Sequence, residues 1–313
     1  MGKKKFTGVS QFLARFRGWI QAGAALLTNL HLPNFLKGRL YQGAGKTVCV
    51  PGLNCYSCPA ASGACPIGAF QAVVGSSKFS FSYYITGILI LLGVLLGRFI
   101  CGFLCPFGWF QELLHKIPSR KLSTRKLKPL RYLKYAILLV MVFLLPAFLV
   151  NDVGMGDPFF CKYLCPQGVL EGAIPLSLAN SGIRAALGSL FTWKLGILLV
   201  VIVLSVLFYR PFCKWICPLG AFYALLNKVS LVQMKVDQSK CISCGKCARA
   251  CKMDVDVTKS PNHTECIRCG MCVRACPTNA VRFRCGFGTG KQGTVLPEKT
   301  NKQMNDIVKE KKS

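Results

Sequence analysis

Residues 241–251 read CISCGKCARAC and residues 266–277 read CIRCGMCVRACP. Both match C-x2-C-x2-C-x3-C, the spacing in which three cysteines of a run hold one 4Fe-4S cubane and the fourth reaches across to a second. The expected ligand sets are therefore crossed: Cys241, Cys244 and Cys247 with Cys276, and Cys266, Cys269 and Cys272 with Cys251. Zinc ribbons also use two CxxC pairs, but with a longer insert, which makes zinc a remote rival. Gly245 and Gly270 permit the backbone to close on the cubane with its N–H groups facing sulfur. Cys276 is followed by Pro277 but Cys251 by Lys252, which predicts a looser surround for the second cluster with ligation intact.

Outward from these runs the composition changes. Of 313 residues, 52% are hydrophobic, more than a soluble chain needs, so part of the chain is expected in lipid. Forty Lys and Arg against eleven Asp and Glu give a net charge of +29. The basic residues flank apolar runs and no nucleic-acid-binding motif is present, so anionic lipid, not nucleic acid, is the expected partner. Residues 79–97, FSFSYYITGILILLGVLLG, form the safest span; residues 135–150 and 195–209 are shorter ones. Residues 18–36 make a fourth, interrupted by Gln21, Asn29, His31, Pro33 and Asn34. The expected fold is mainly α: a transmembrane bundle of four helices, or three if the first segment is not retained, over residues 1–230. A C-terminal dicluster ferredoxin domain of α+β type follows at 231–285, then a disordered basic tail at 286–313.

Positive charges orient the spans. Residues 1–17 carry five Lys or Arg and 98–134 carry nine, against four in 37–78 and two in 151–190. The N-terminus and the ferredoxin segment are therefore expected on the cytoplasmic side of a multi-pass cell-membrane protein.

Nineteen cysteines exceed what packing requires. CPIGAFQ, CPFGWFQEL, CPQGVLEGA and CPLGAFYAL recur at Cys65, Cys105, Cys165 and Cys217, which suggests a duplicated unit. Three pairs have the form CxxxCP: Cys101 with Cys105, Cys161 with Cys165, and Cys213 with Cys217. Proline cannot continue a helix but is favoured as the first residue of a new one, so each pair marks a helix break with a thiol facing free N–H groups. Cys101, Cys105, Cys213 and Cys217 share the cytoplasmic side and supply four thiolates for a third cluster. Cys55, Cys58 and Cys65 of NCYSCPAASGACP fall on the outer side with Cys161 and Cys165, five candidates for four positions. A disulfide among Cys49, Cys55, Cys58 and Cys65 competes with that outer cluster. Cys285 reads as a free thiol; His31, His115 and His263 lack a haem motif and read as solvent-facing or structural. Arg98 and Arg210 either offset cluster charge or snorkel from span ends.

At CGFLCPFG, CKWICPLG and the two ferredoxin runs the chain resembles the NapH and NosR type of membrane iron-sulfur proteins over about residues 12–283, with the copper-reducing CcoG proteins more distant. That resemblance implies a few transmembrane helices, paired CxxxCP motifs, two ferredoxin-type clusters, and electron passage between a quinol pool or cytosolic donor and a redox partner protein. The third CxxxCP pair and the NCYSCP segment depart from it, as does the lack of the large flavin-binding domain of the NosR type.

The leading expectation is an electron-transfer subunit of an oxidoreductase system, not a stand-alone enzyme. Clusters at opposite faces would be separated by roughly the 30 Å hydrocarbon core, a gap for a quinone or a partner's flavin to fill. The alternatives are a reductase acting directly on cupric ion or a quinone and, last, a redox sensor. No hydrolytic triad, phosphate loop or catalytic carboxylate pair is present.

Overall fold

The computed structural model describes residues 8–76, 82–152 and 155–286; the tail from residue 287 onward lies outside them. Four helical elements alternate in direction. The first, Val9–Thr28, begins beside the ferredoxin segment, where Ser10 Oγ accepts from the Phe283 N–H at 3.1 Å. It ends where Thr28 and Asn29 turn their side chains back onto the carbonyls of Ala24 and Ala25, a competition that closes helices. The expected segment 18–36 is corrected accordingly: the helix starts nine residues earlier, and the polar residues from Asn29 to Asn34 terminate it.

Tyr83–Leu95 returns to the ferredoxin end, where the Val94 carbonyl accepts from Leu231 N–H at 2.8 Å. Gly97 stops it in the left-handed conformation (φ 54°), and a Cβ there would lie 2.8 Å from the Arg268 guanidinium. At 13 residues, about 20 Å, this helix is shorter than the span expected over 79–97. Leu127–Phe148 leads away again, and Ser189–Leu207 comes back. These are the two helices, among the described residues, long and apolar enough to cross a membrane. Of the four elements expected as spans, two among the described residues combine the length and the apolarity of a membrane crossing; Val9–Thr28, at 20 residues, has the length without the apolarity.

Leu127–Phe148 widens into π-type turns over Leu138–Leu144, just before Pro146, and the Gly168–Ala173 stretch does the same before Pro175. A proline ring pushes against the carbonyl one turn back, and a wider turn relieves it. Only 28% of the apolar window in Leu127–Phe148 and 17% of that in Ser189–Leu207 is buried, the reverse of a soluble core helix. Leu139, Val140, Phe143, Leu199, Val200 and Val203 all face outward.

Shorter helices fill the interior. Pro66–Gly75 packs against Tyr83–Leu95 and the Pro218–Leu226 helix, and Pro106–Leu114 packs between Val9–Thr28 and Ser189–Leu207. The C-terminal segment is closed by an antiparallel ladder in which Val232–Val236 pairs with Val281–Cys285 in the register Val232 to Cys285. Its Met253, Val255 and Ile267 enter the same apolar core as Ile100, Phe107 and Phe212 of the bundle.

Buried charge joins these parts. Glu265 lies between Arg98 (2.9 Å) and Lys134 (2.6 Å), with all three side chains at most 4% exposed. Glu112 bridges Arg17 (2.7 Å) and Arg210 (2.8 Å), and Asp254 bridges Arg131 and Lys214, each at 3.2 Å. Arg98 and Arg210 are fully buried, so the snorkelling alternative is excluded: their heads turn inward to carboxylates. Burial alone would raise the Glu265 pKa, yet the Arg98 and Lys134 cations outweigh it and hold the carboxyl at about 2. Removing one member of such a group strands the others without water. Glu265→Gln should cost roughly 3–5 kcal/mol in thermal unfolding, while Asp237→Asn, at the exposed Arg282 pair, should leave the transition in place.

Candidate functional site

The two ferredoxin runs repeat each other in backbone detail. Ser243 and Arg268 both take φ 52°, Gly245 and Gly270 take 66° and 75°, and Asp254 and Asn279 take 56° and 54°. Alternation of right- and left-handed residues turns successive N–H groups to one side, a concavity suited to an anion or an iron-sulfur cluster. Behind each run the fourth cysteine accepts an N–H from the residue four on: Val255 to Cys251 Sγ at 3.4 Å and Ala280 to Cys276 Sγ at 3.3 Å. The backbone makes this bond at Cys251 without the proline, but Cys276 also has the Thr278 hydroxyl 3.6 Å away, so the surround of Cys251 is the sparser of the two. Although burial pushes the Cys276 thiol up, the Thr278 hydroxyl and the Ala280 N–H bring it below the ordinary value.

One cavity is lined by Cys241, Cys244, Cys247 and Cys276, and a second by Cys251, Cys266, Cys269 and Cys272. The structure thus brings the crossed sets together. Val257 lines the second cavity and packs in one cluster with Cys247 and Cys276 of the first. Gly270 presses against the first helix, where a Cβ would stand 2.6 Å from that of Ala14.

In the bundle, Cys101, Cys105, Cys213 and Cys217 line one cavity, as expected. Cys65, Cys105 and Cys217 each occupy the N-cap of a helix whose first residue is proline. The N–H groups of Gly68, Gly108 and Gly220, three residues on, are directed at those thiols, and the last bond measures 3.3 Å. Cys55, Cys65, Cys161 and Cys165 line another cavity, of about 770 Å³. Gly68 and Gly168 face its sulfurs, since Cβ atoms there would lie 3.8 Å from Cys161 Sγ and 3.6 Å from Cys55 Sγ. Cys58 does not line it; buried with Ala60 and Ala61, its sulfur is 3.6 Å from Asn29 Oδ1. All 19 cysteines are free thiols, so the structure holds no outer disulfide.

The expected 30 Å separation between inner and outer sets is overturned. Leu53 lines both cavities; its own N–H is directed at Cys105 and that of the next residue, Asn54, at Cys65. One residue of wall parts the two sets because the short proline-led helices fold into the middle of the bundle. On the other side Gly102, beside Cys101, touches the carbonyl of Ile267, where a Cβ would come within 2.3 Å. Ile267 in turn lines the Cys251 cavity.

Sequence reading passed over Leu53, Glu265 and the paired Gln71 and Gln111, each of which closes one of the repeated CPxGxFQ strings. The repeat itself was the available signal. His31 stacks on Tyr41, His115 meets Tyr209 edge-on, and His263 accepts the Glu265 N–H, all structural roles. Among the described residues no three His, Cys, Asp or Glu side chains converge closely enough for a single ion. A tetrahedral zinc site would require that convergence, with Zn–S bonds of about 2.3 Å. The thiol sets ring a larger space, with glycine and backbone N–H groups facing the sulfurs, and so fit a cubane.

A 4Fe-4S binding-domain profile matches residues 63–84, 80–125, 134–174 and 190–237, and a second 4Fe-4S binding-domain profile matches 234–255 and 260–282. An uncharacterised protein of Methanocaldococcus jannaschii is 28% identical over 182 residues, 55% of this chain and 66% of its own length. The putative electron transport protein YccM of Escherichia coli is 27% identical over 179 residues, covering 54% and 45%. The ferredoxin-type protein NapH of Haemophilus influenzae is 26% identical over 179 residues, covering 56% and 54%. The chain thus covers less than two thirds of the length of each of these relatives. No solved structure matches it. Four cysteine sets, matching cluster-domain profiles and this similarity together make the chain an iron-sulfur protein whose homologues include the ferredoxin-type protein NapH, the putative electron transport protein YccM and the regulatory protein NosR.

Proposed function

We propose that the chain is a membrane-bound relay of four 4Fe-4S clusters, conducting electrons between a redox partner at the ferredoxin face and an acceptor at the outer cavity. The observation that carries this reading is that sixteen cysteines sort into four sets of four whose walls touch in series. In order, the ligands are Cys241, Cys244, Cys247 and Cys276; Cys251, Cys266, Cys269 and Cys272; Cys101, Cys105, Cys213 and Cys217; and Cys55, Cys65, Cys161 and Cys165. Such a cluster, once bound, stores and releases single electrons at a potential set by burial and by hydrogen bonds to sulfur.

The protein supplies the spacing and the insulation. Val257, Ile267 and Leu53 are at most 3% exposed and form the partitions between consecutive sets. Water is thereby kept from the path, and no quinone or flavin is needed to bridge inner and outer sets. The outward-facing apolar helices favour a membrane setting, and the excess of Lys and Arg at residues 1–17 and 98–134 favours a cytoplasmic ferredoxin face. Residues 1–230, 231–285 and 286–313 serve as bundle, ferredoxin module and tail.

One observation favours a second reading, in which the outer set itself reduces a small substrate. The outer cavity, at about 770 Å³, is far roomier than the other three, and is lined by small apolar side chains with Lys46, Lys194 and Gln167. Turnover of cupric ion or a short-chain quinone by the isolated chain with an artificial reductant would establish it; none without a partner subunit would remove it.

Anaerobically purified protein should carry about sixteen irons per chain, four for each cubane; about eight would restrict the relay to the ferredoxin segment. Cys58→Ser should keep the full complement, whereas Cys55→Ser should lose about four irons and one paramagnetic signal. The reverse result would exchange the two roles. Gly102→Ala places a Cβ against the Ile267 carbonyl. Stopped-flow reduction by a protein donor confined to the ferredoxin face should then keep its fast bleaching phase and slow its later one, and unchanged phases would discount that crossing.

A further inference from the structure

Gln71 and Gln111 are fully buried, one in each half of the duplicated unit, and both make the same three bonds. Gln111 Oε1 accepts the Phe212 N–H at 3.2 Å, and its Nε2 donates to the Phe107 carbonyl at 3.4 Å and to Cys213 Sγ at 3.1 Å. Gln71 Oε1 accepts the Phe160 N–H at 3.0 Å, and its Nε2 donates to the Ile67 carbonyl at 3.3 Å and to Cys161 Sγ at 3.1 Å. The amide orientation is determined in both places. A backbone N–H requires the oxygen opposite it, which leaves the nitrogen toward sulfur. In both cases the sulfur belongs to the first cysteine of the partner CxxxCP pair. The free thiols of this structure stand in for the thiolates that would ligate iron.

We infer that Gln71 and Gln111 are positioning residues that tune the two bundle clusters, each holding one ligand thiolate by an N–H···S bond and raising that cluster's reduction potential. The inference rests on the four-cluster reading above. An N–H donor to a ligand sulfur stabilises the extra negative charge of the reduced state, so its loss moves the potential down. In dry surroundings the bond is strong, because no water competes for either group. Neither ferredoxin run carries a side-chain amide of this kind on its sulfurs among the described bonds; there, backbone N–H groups of Val255 and Ala280 meet Cys251 and Cys276. The two bundle clusters are thus tuned by side chains that a substitution can remove singly, with the ferredoxin clusters as internal references.

The bond to the Phe N–H also gives each glutamine a structural task, so the test reads potentials and not activity. Potentiometric titration followed by paramagnetic resonance should be run on the full-length protein and on Gln71→Leu and Gln111→Leu. The expected result is a negative shift of one signal in the first variant and of a different signal in the second, with the ferredoxin signals unmoved. An unmoved midpoint at full iron content, or the same signal moving in both variants, overturns the inference. Should a Leu variant lose its cluster, Gln111→Glu or Gln71→Glu, which keeps an oxygen for the Phe N–H, must show the shift; an unmoved midpoint there overturns it equally. Wild-type protein with about eight irons would overturn the four-cluster reading itself.

Discussion

Four sulfur atoms from distant parts of the chain must face one small space, and that requirement organises the rest of the molecule. In the outer set Cys55 meets Cys165, and in the inner set Cys101 meets Cys217. Convergence over such separations is costly in chain entropy, and the molecule meets it by placing thiols at helix starts. Proline at the first helical position fixes the backbone there, and the glycine three residues after the cysteine directs its N–H to the sulfur without crowding it.

The same device used twice gives the bundle its approximate internal repeat. Cys65 corresponds to Cys105, Cys161 to Cys213 and Cys165 to Cys217, and in each half one glutamine ties the first of these elements to the second. Only the fourth ligand departs: Cys101 precedes Cys105 by four residues, whereas Cys55 precedes Cys65 by ten. The longer loop frees one flank of the outer set and opens the large cavity beside Lys46 and Lys194.

Much of this was legible in the sequence. The grouping of the ferredoxin cysteines could be read from spacing, because a short spacing leaves the backbone few ways to wrap, and that of Cys101, Cys105, Cys213 and Cys217 from the course of the apolar runs between them. The apolar runs at 79–97, 135–150 and 195–209 each marked a helix of the bundle. What escaped was what depends on packing. The length of Tyr83–Leu95 is limited by a left-handed Gly97 pressed against Arg268, a contact 171 residues away in the chain. The nearness of inner and outer sets depends on Leu53, which carries no recognisable motif. Which outer cysteine is spare depends on whether Cys55 or Cys58 turns toward Cys65, a matter of one loop's conformation.

The buried ion clusters have an implication for assembly. Glu265, Glu112 and Asp254 are each outnumbered by cations, and Arg268, also buried, is held by the carbonyls of Leu96 and Asn227. The interior therefore carries surplus positive charge, which a low-dielectric medium tolerates poorly unless anionic groups lie nearby. Thiolate-ligated iron-sulfur clusters are such groups. Under the four-cluster proposal, maturation and folding are linked equilibria: a chain without iron would be electrostatically strained as well as missing its cross-links, and metal insertion would act as the final step of its folding.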